Sequence, residues 1–169
     1  HDGTHDFADL LRAAAGVPGV LRVRYTSPHP SDMSERLIAA MTECEKVMPH
    51  VHLPLQSGSD SVLSAMQRSY TLAEYQRVLD RIRQRIPGVA VSTDIIVGFP
   101  GETEEDFLAT QEFMRLTRFD SAFLFKYSAR PDTRAFKLPE TVDDAEKGRR
   151  LAALLDQQEV IDQDAFFLD

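Results

Sequence analysis

Four short stretches concentrate the residues able to hold a ligand: Thr26-Ser27-Pro28-His29-Pro30, Gln56-Ser57-Gly58-Ser59-Asp60, Gly98-Phe99-Pro100-Gly101-Glu102 and Ser128-Ala129-Arg130-Pro131. They are rich in glycine, proline and polar side chains. Glycine lets backbone approach a ligand closely, and proline fixes a loop's course. Backbone N–H and C=O groups presented this way can read an adenine edge or a ribose, so together the four stretches describe a binding chamber. Each also has a plainer reading. The stretch from Gln56 is also a turn in which Ser59 caps a helix, and the stretch from Gly98 is also a strand-to-helix turn. His29, between two prolines, offers acid–base chemistry or merely a stiff loop. Asp94, inward on a β-branched strand, contacts a substrate or pairs with Arg22 or Arg24.

The elements between these stretches must position them. Phe7, Leu10, Leu11 and Ala14 recur at helical spacing, and Gly16 and Pro18 end that helix. Leu21 to Thr26 alternates as a strand does. Leu37, Met41, Cys44 and Met48 mark a helix face that Pro49 closes. Val51 to Gln56 is a second strand, Ser59 to Met66 a short helix, and Leu72 to Ile86 a longer one. Val89 to Val97 is a strongly β-branched third strand. Thr103 with Asp106 resembles a capping box opening a helix to about Arg118. Ser121 to Tyr127 is the fourth strand, and a long helix runs from about Asp143 into the 160s.

Repeated strand–helix units imply an α/β fold with parallel strands and outer helices. Strands of an open parallel sheet are apolar on both faces. Here His52 and Gln56 share one face, as do Ser92 and Asp94, opposite Val91, Thr93, Ile95 and Val97. One polar face per strand fits the interior of a partial (β/α) TIM-like barrel with about four strands. In such barrels ligands sit at the C-terminal strand ends, which is where the four stretches fall.

Composition narrows the chemistry. With 169 residues and 43% hydrophobic content, one domain with a real core is expected. No apolar run reaches the length of a membrane span, and no membrane partner is expected. Cys44 is the one cysteine. It excludes a disulfide framework, fits a reducing compartment, cannot build a cluster site, and reads as core. Phe123, Phe125 and Tyr127 alternate and also read as core, more than as a base-stacking platform. Arg77, Arg81, Arg83 and Arg85 read as a solvated helix face. The net charge of −8 argues against a broad grip on nucleic acid, so any such substrate must be held locally or by another domain.

The four stretches in this order, with Thr93-Asp94-Ile95-Ile96-Val97-Gly98-Phe99-Pro100-Gly101-Glu102-Thr103 and Met66-Gln67-Arg68-Ser69-Tyr70-Thr71, resemble the radical S-adenosylmethionine methylthiotransferases over about Phe7 to Gln158. The serine after Gln56 is similar to the tRNA-modifying branches rather than the ribosomal-protein branch. Ser121-Ala122-Phe123 and Arg130-Pro131 lean toward the branch acting on isopentenyl-type adenosine next to the anticodon. The threonylcarbamoyl-adenosine branch is the close rival.

The resemblance implies a radical SAM barrel, S-adenosylmethionine and [4Fe–4S] clusters as cofactors, tRNA as substrate, an electron donor and a cytoplasmic setting. It implies that Gln56 and Ser57 line the cofactor pocket, that Asp94, Ile96 and Gly98 lie along the adenosyl portion, and that Tyr127 and Ser128 edge the adenine. Arg24, His29 and Arg130 are candidates for substrate or carboxylate contacts. No residue is assigned to catalysis and none to a metal. The family's CxxxCxxC loop, its N-terminal cluster domain and its small RNA-binding β-domain do not occur in these residues, and Asp132 stands where glycine is usual. Residues 1–169 are thus expected to be the later part of a catalytic barrel, inactive alone and prone to self-association through open strand edges. One rival stays open, a cluster-free nucleotide- or RNA-binding half-barrel; an aldolase-like enzyme is disfavoured, because its mark would be an inward lysine and Lys126 falls opposite the Phe123, Phe125 and Tyr127 face.

Overall fold

Local capping chemistry sets several helix starts. Asp6 and Asp9 form a reciprocal capping box at the head of α1 (Phe7–Gly16). Ser34 caps α2 (Glu35–Glu43) by accepting from the Leu37 N–H. β1 (His50–His52), α3 (Asp60–Ala65) and α4 (Leu72–Arg85) follow. β2 (Ala90–Val97) leads to α5 (Glu104–Thr117), whose capping box is Thr103 with Asp106, as its spacing predicts. β3 (Ser121–Lys126) and the long α6 (Asp144–Phe166) complete the order. The structure, a computed structural model, describes residues 5–26 and 29–166. Ser27 and Pro28 of the first loop therefore lie outside the described residues.

The strands form a sheet in the order β1-β2-β3. β2 and β3 run parallel, with Asp94 opposite Phe123 and Ile96 opposite Phe125. The expected first strand is the main difference. Leu21 to Thr26 contributes one parallel bridge, Val23 to Val47. The reason lies in the next helix. α2 stops at Glu43, one turn short of the expected end, and Cys44 becomes its half-buried C-cap rather than a core residue. The segment after it then pairs with Val23, whose N–H donates to the Lys46 carbonyl at 2.7 Å and whose carbonyl accepts from Met48 at 3.0 Å. Alternation alone does not make a strand when the partner offers only one residue. Likewise Val51 to Gln56 is a strand only at its start, with one further bridge from Gln56 to Ile95.

The chain packs as two units. The first comprises His1–Leu53 and Ala73–Val91. In it α1 packs on α2 over Leu11, Leu37, Ile38 and Met41, and Tyr75, Leu79 and Ile82 of α4 are fully buried. The Tyr75 hydroxyl donates to the Leu53 carbonyl at 2.7 Å. Arg81 and Arg85 are not merely solvated: both pair with Glu35. The second unit comprises Pro54–Leu72 and Ser92–Asp169. Its α5 and α6 pack together, and α6 packs on β3. Phe107, Met114, Phe119 and Leu154 are fully buried there. No described helix is long and apolar enough to cross a membrane.

Asp106 does more than cap α5. It also accepts from the Ser59 and Ser61 hydroxyls at 2.5 and 2.6 Å, tying α5 to the head of α3. Burial opposes its ionisation, but the hydrogen bonds from Ser59, Ser61 and Thr103 outweigh that and hold its carboxyl down at about 2. The folded value lies below the unfolded one, so this contribution is complete above about pH 4 and lost as pH falls through about 2. Asp106→Asn should cost about 2 kcal/mol at neutral pH. Urea denaturation should show the gap between variant and parent closing toward about pH 2, and a constant gap would contradict the assignment.

Candidate functional site

At the C-terminal ends of β2 and β3 the second unit opens a cavity of about 620 Å³. The alternation of β2 builds its floor. Thr93, Ile95 and Val97 are fully buried on one face, and the half-buried Asp94 and Ile96 face the cavity. Gln56 joins them through its backbone. Its N–H donates to the Asp94 carbonyl at 2.8 Å, and its carbonyl accepts from Ile96 at 2.9 Å. Gln56 holds a left-handed φ of 71°, an uncommon conformation for a residue with a side chain. Its side chain is thereby placed on the cavity wall.

β3 and the segment after it supply the adjoining side. Phe125, Lys126, Tyr127, Ser128 and Arg130 line it, with Thr133 and Ala135 from the following loop. Tyr127 is anchored by its N–H to the Val97 carbonyl at 2.8 Å. Its ring meets Phe99 edge-on at 5.0 Å, and the Lys147 ammonium lies 5.6 Å from the ring centroid. Its hydroxyl is buried and has no hydrogen-bond partner among the described residues. An unpaired buried phenol is costly, and with its oxygen closed off from solvent Tyr127 offers the cavity its ring rather than its hydroxyl. A second cavity of about 450 Å³ shares Arg68, Ile96, Tyr127, Thr133 and Ala135 and adds Met66, Gln67, Phe99 and Arg134.

Of the ten expected site residues, Gln56, Asp94, Ile96, Tyr127, Ser128 and Arg130 are brought together here. Two others sit at the same strand ends but face helices. Ser57 is fully buried and shares a hydrogen bond with the Thr110 hydroxyl of α5 at 3.3 Å. Gly98 donates its N–H to Glu102 at 2.6 Å, and a side chain there would strike Lys147 of α6. Arg24 and His29 belong to the first unit and line neither cavity. His29 accepts from the Ser31 N–H at 3.3 Å, capping the 3-10 turn Pro30–Asp32.

The site also contains residues the sequence reading left out: Arg68, Phe125, Thr133 and Arg134. Phe123 and Phe125 are not core; each is about half exposed, at 52% and 50%. The signal for Arg68 was its place just after α3. The chain turns at Gln67 with φ 58° and directs the next residue back over the strand ends. Lys126 is ion-paired with Asp144 at 2.7 Å. The arrangement is thus flat apolar surfaces, one carboxylate and several cations. It suits a nucleoside carrying charged groups, and the volume is in the range of small-molecule sites.

Comparison with known proteins agrees with that chemistry. Residues 2–114 match the family described as the radical SAM superfamily. The chain is 49% identical over 152 residues to the tRNA-2-methylthio-N(6)-dimethylallyladenosine synthase of Alkaliphilus oremlandii (strain OhILAs), covering 90% of this chain and 32% of that protein. It is 52% identical over 154 residues to the protein of the same name from Arthrobacter sp. (strain FB24), covering 89% and 30%. It therefore spans about a third of the length of these curated relatives. Among solved structures it is similar to coproporphyrinogen III oxidase of Escherichia coli, described as a radical SAM enzyme, with a TM-score of 0.59 at 17% identity, covering 89% of this chain and 34% of that one. That likeness shows the fold, a partial barrel of the radical SAM type.

Proposed function

The chain belongs to the radical SAM superfamily, and from that premise we propose that it is part of an enzyme that methylthiolates C2 of an N6-modified adenosine in tRNA. Residues 1–169 would then be the later portion of its catalytic barrel, working in the cytoplasm with tRNA and an electron donor. The observation that carries this reading is the strand-end cavity, in a chain about half identical to the named synthases. When bound, S-adenosylmethionine supplies the radical chemistry of the family.

The residues present fit that cofactor. Asp94 offers a carboxylate for ribose hydroxyls, and Ile96, Phe125 and the Tyr127 ring offer apolar surface for a base. Gln56 and Ser128 add polar contacts at the wall. Iron–sulfur ligation does not fit these residues. One cysteine cannot supply the thiolates of a cluster, so that chemistry belongs to other parts of the enzyme.

Tyr127→Phe and Asp94→Asn together test the reading. Removing an unpaired buried hydroxyl should stabilise the free chain by about 1 kcal/mol in urea denaturation. The same change should leave S-adenosylmethionine binding, followed by amide chemical shifts at Asp94 and Ile96, within about twofold of the parent, because that hydroxyl is closed off from the cavity. Asp94→Asn should weaken that binding about tenfold, the usual loss for a charge-assisted hydrogen bond. Shifts that bypass the cavity, or an Asp94→Asn chain that binds as the parent does, would overturn the assignment. Submicromolar binding by the chain alone would favour a cluster-free binding module instead.

A further inference from the structure

In an acidic chain, the arginines that stay unpaired are informative. Four arginines of the second unit are matched to carboxylates: Arg115 to Glu112, Arg118 to Asp164, Arg149 to Glu104 and Glu146, and Arg150 to Glu102. The other three, Arg68, Arg130 and Arg134, have no carboxylate within ion-pair distance among the described residues. All three are exposed, and all three line the two adjoining cavities. Acids outnumber Lys and Arg by 27 to 19, so carboxylates are not scarce. Asp132 even lies between Arg130 and Arg134 in the chain, exposed and paired with neither.

We infer that Arg68, Arg130 and Arg134 form a rim that takes successive phosphates of the RNA substrate beside the nucleoside cavity. The inference rests on the function proposed above and deepens it. A guanidinium binds a phosphate bidentately through its planar fork. A single cofactor carboxylate would occupy one such fork and leave two guanidiniums unmatched, whereas a nucleic-acid backbone presents a series of anions. Arg68 and Arg130 line the larger cavity, and Arg68 and Arg134 the smaller, so the cations span both openings. A local rim also explains how a chain of net charge −8 can meet a polyanion without a broad basic face.

The test is fluorescence anisotropy of a labelled anticodon stem-loop RNA titrated with the chain at several salt concentrations. Each of Arg68→Gln, Arg130→Gln and Arg134→Gln should weaken binding roughly threefold to tenfold and lower the slope of log K against log salt by about 0.7. Arg115→Gln and Arg118→Gln, equally exposed but away from the cavities, should leave both quantities unchanged. The chemical shifts produced by S-adenosylmethionine should survive in all three rim variants. A triple variant with the parent's affinity and slope overturns the rim, as does a chain that binds no RNA at low salt. Loss of S-adenosylmethionine binding with an unchanged salt slope also overturns it and assigns the arginines to the cofactor. If the rim variants lower the slope while the cavity binds no S-adenosylmethionine, the rim stands and the cofactor reading fails.

Discussion

Gly58→Ala should cost the chain about 3 kcal/mol, although Gly58 has ordinary backbone angles for any residue. A Cβ at that position would overlap the Thr110 Cα and press on the Ala109 carbonyl at 3.0 Å. Both obstacles are helix backbone, which cannot rotate away as a side chain would. The loop sits this close because the Gly58 N–H donates to the Thr110 hydroxyl at 2.9 Å and the Ser57 hydroxyl shares that oxygen. A methyl group would have to lift the loop from α5, losing those bonds while Ser57 remains buried. Urea denaturation should show a lower midpoint for Gly58→Ala. Thr110→Ala should be milder, because it removes hydrogen bonds without adding bulk. A Gly58→Ala chain as stable as the parent would mean that the loop and α5 are not in this contact.

The second large effect is expected at Glu102 and Arg150. The carboxylate of Glu102 is 1% exposed and the guanidinium of Arg150 6% exposed, with 2.6 Å between them. Glu102 also accepts from the Gly98 N–H, and its other oxygen has no partner among the described residues. Burial pushes the Glu102 carboxyl up, against the pull of Gly98 and Arg150. Arg150→Met removes the cation and leaves a buried charge uncompensated, a loss of about 3–5 kcal/mol. A carboxyl raised above its unfolded value takes up protons on folding, so stability declines as pH rises from about 4.5 through the folded value. The Arg150→Met deficit should therefore shrink in acid, as the Asp106→Asn deficit does, but beginning at higher pH, because the Glu102 carboxyl is raised and the Asp106 carboxyl lowered. Combining it with Glu102→Gln should recover part of the loss, because no buried charge remains. Urea midpoints at about pH 5 and about pH 8 check both statements. A deficit independent of pH would mean that Glu102 is not charged in the folded chain.

The pair also bears on the cavity. Glu102 ties down the Gly98 N–H at the end of β2, where Gly98 holds φ 74° and Lys147 of α6 lies over it. Lys147 then reaches Glu140 at 2.5 Å and stands over the ring of Tyr127. The long helix thus braces the loop that ends the cavity floor. Its cations do so only because Glu102 and Glu140 neutralise them, since a buried unpaired ammonium would be costly.

Much of this was legible in the residues. The box of Thr103 and Asp106, the β-branched run ending at Val97 and the helical spacing from Leu72 to Ile86 each satisfy their hydrogen bonds locally or follow from one periodicity. The structure places α5, β2 and α4 accordingly. The motif around Asp94, Ile96 and Gly98 pointed to one strand end, and alternation alone put Asp94 and Ile96 on a common face. The glycine usual in the family at position 132 also has a local cause: Asp132 adopts φ 67°, a conformation that glycine takes without strain.

What the tertiary structure decided is which face each strand end presents to what. Gly58 and Gly98 are small because helices press on them, not because a ligand does, and Ser57 turns to Thr110 while Gln56 turns to the cavity. Phe125 is exposed at a cavity although its alternation is that of a core residue, and Leu21 to Thr26 alternates without a strand to join. Arg68 enters the site from a turn far from it in the chain. Periodicity determines which side chains share a direction, since it is a property of one backbone. What fills that direction depends on partners brought from distant segments, and only packing selects those.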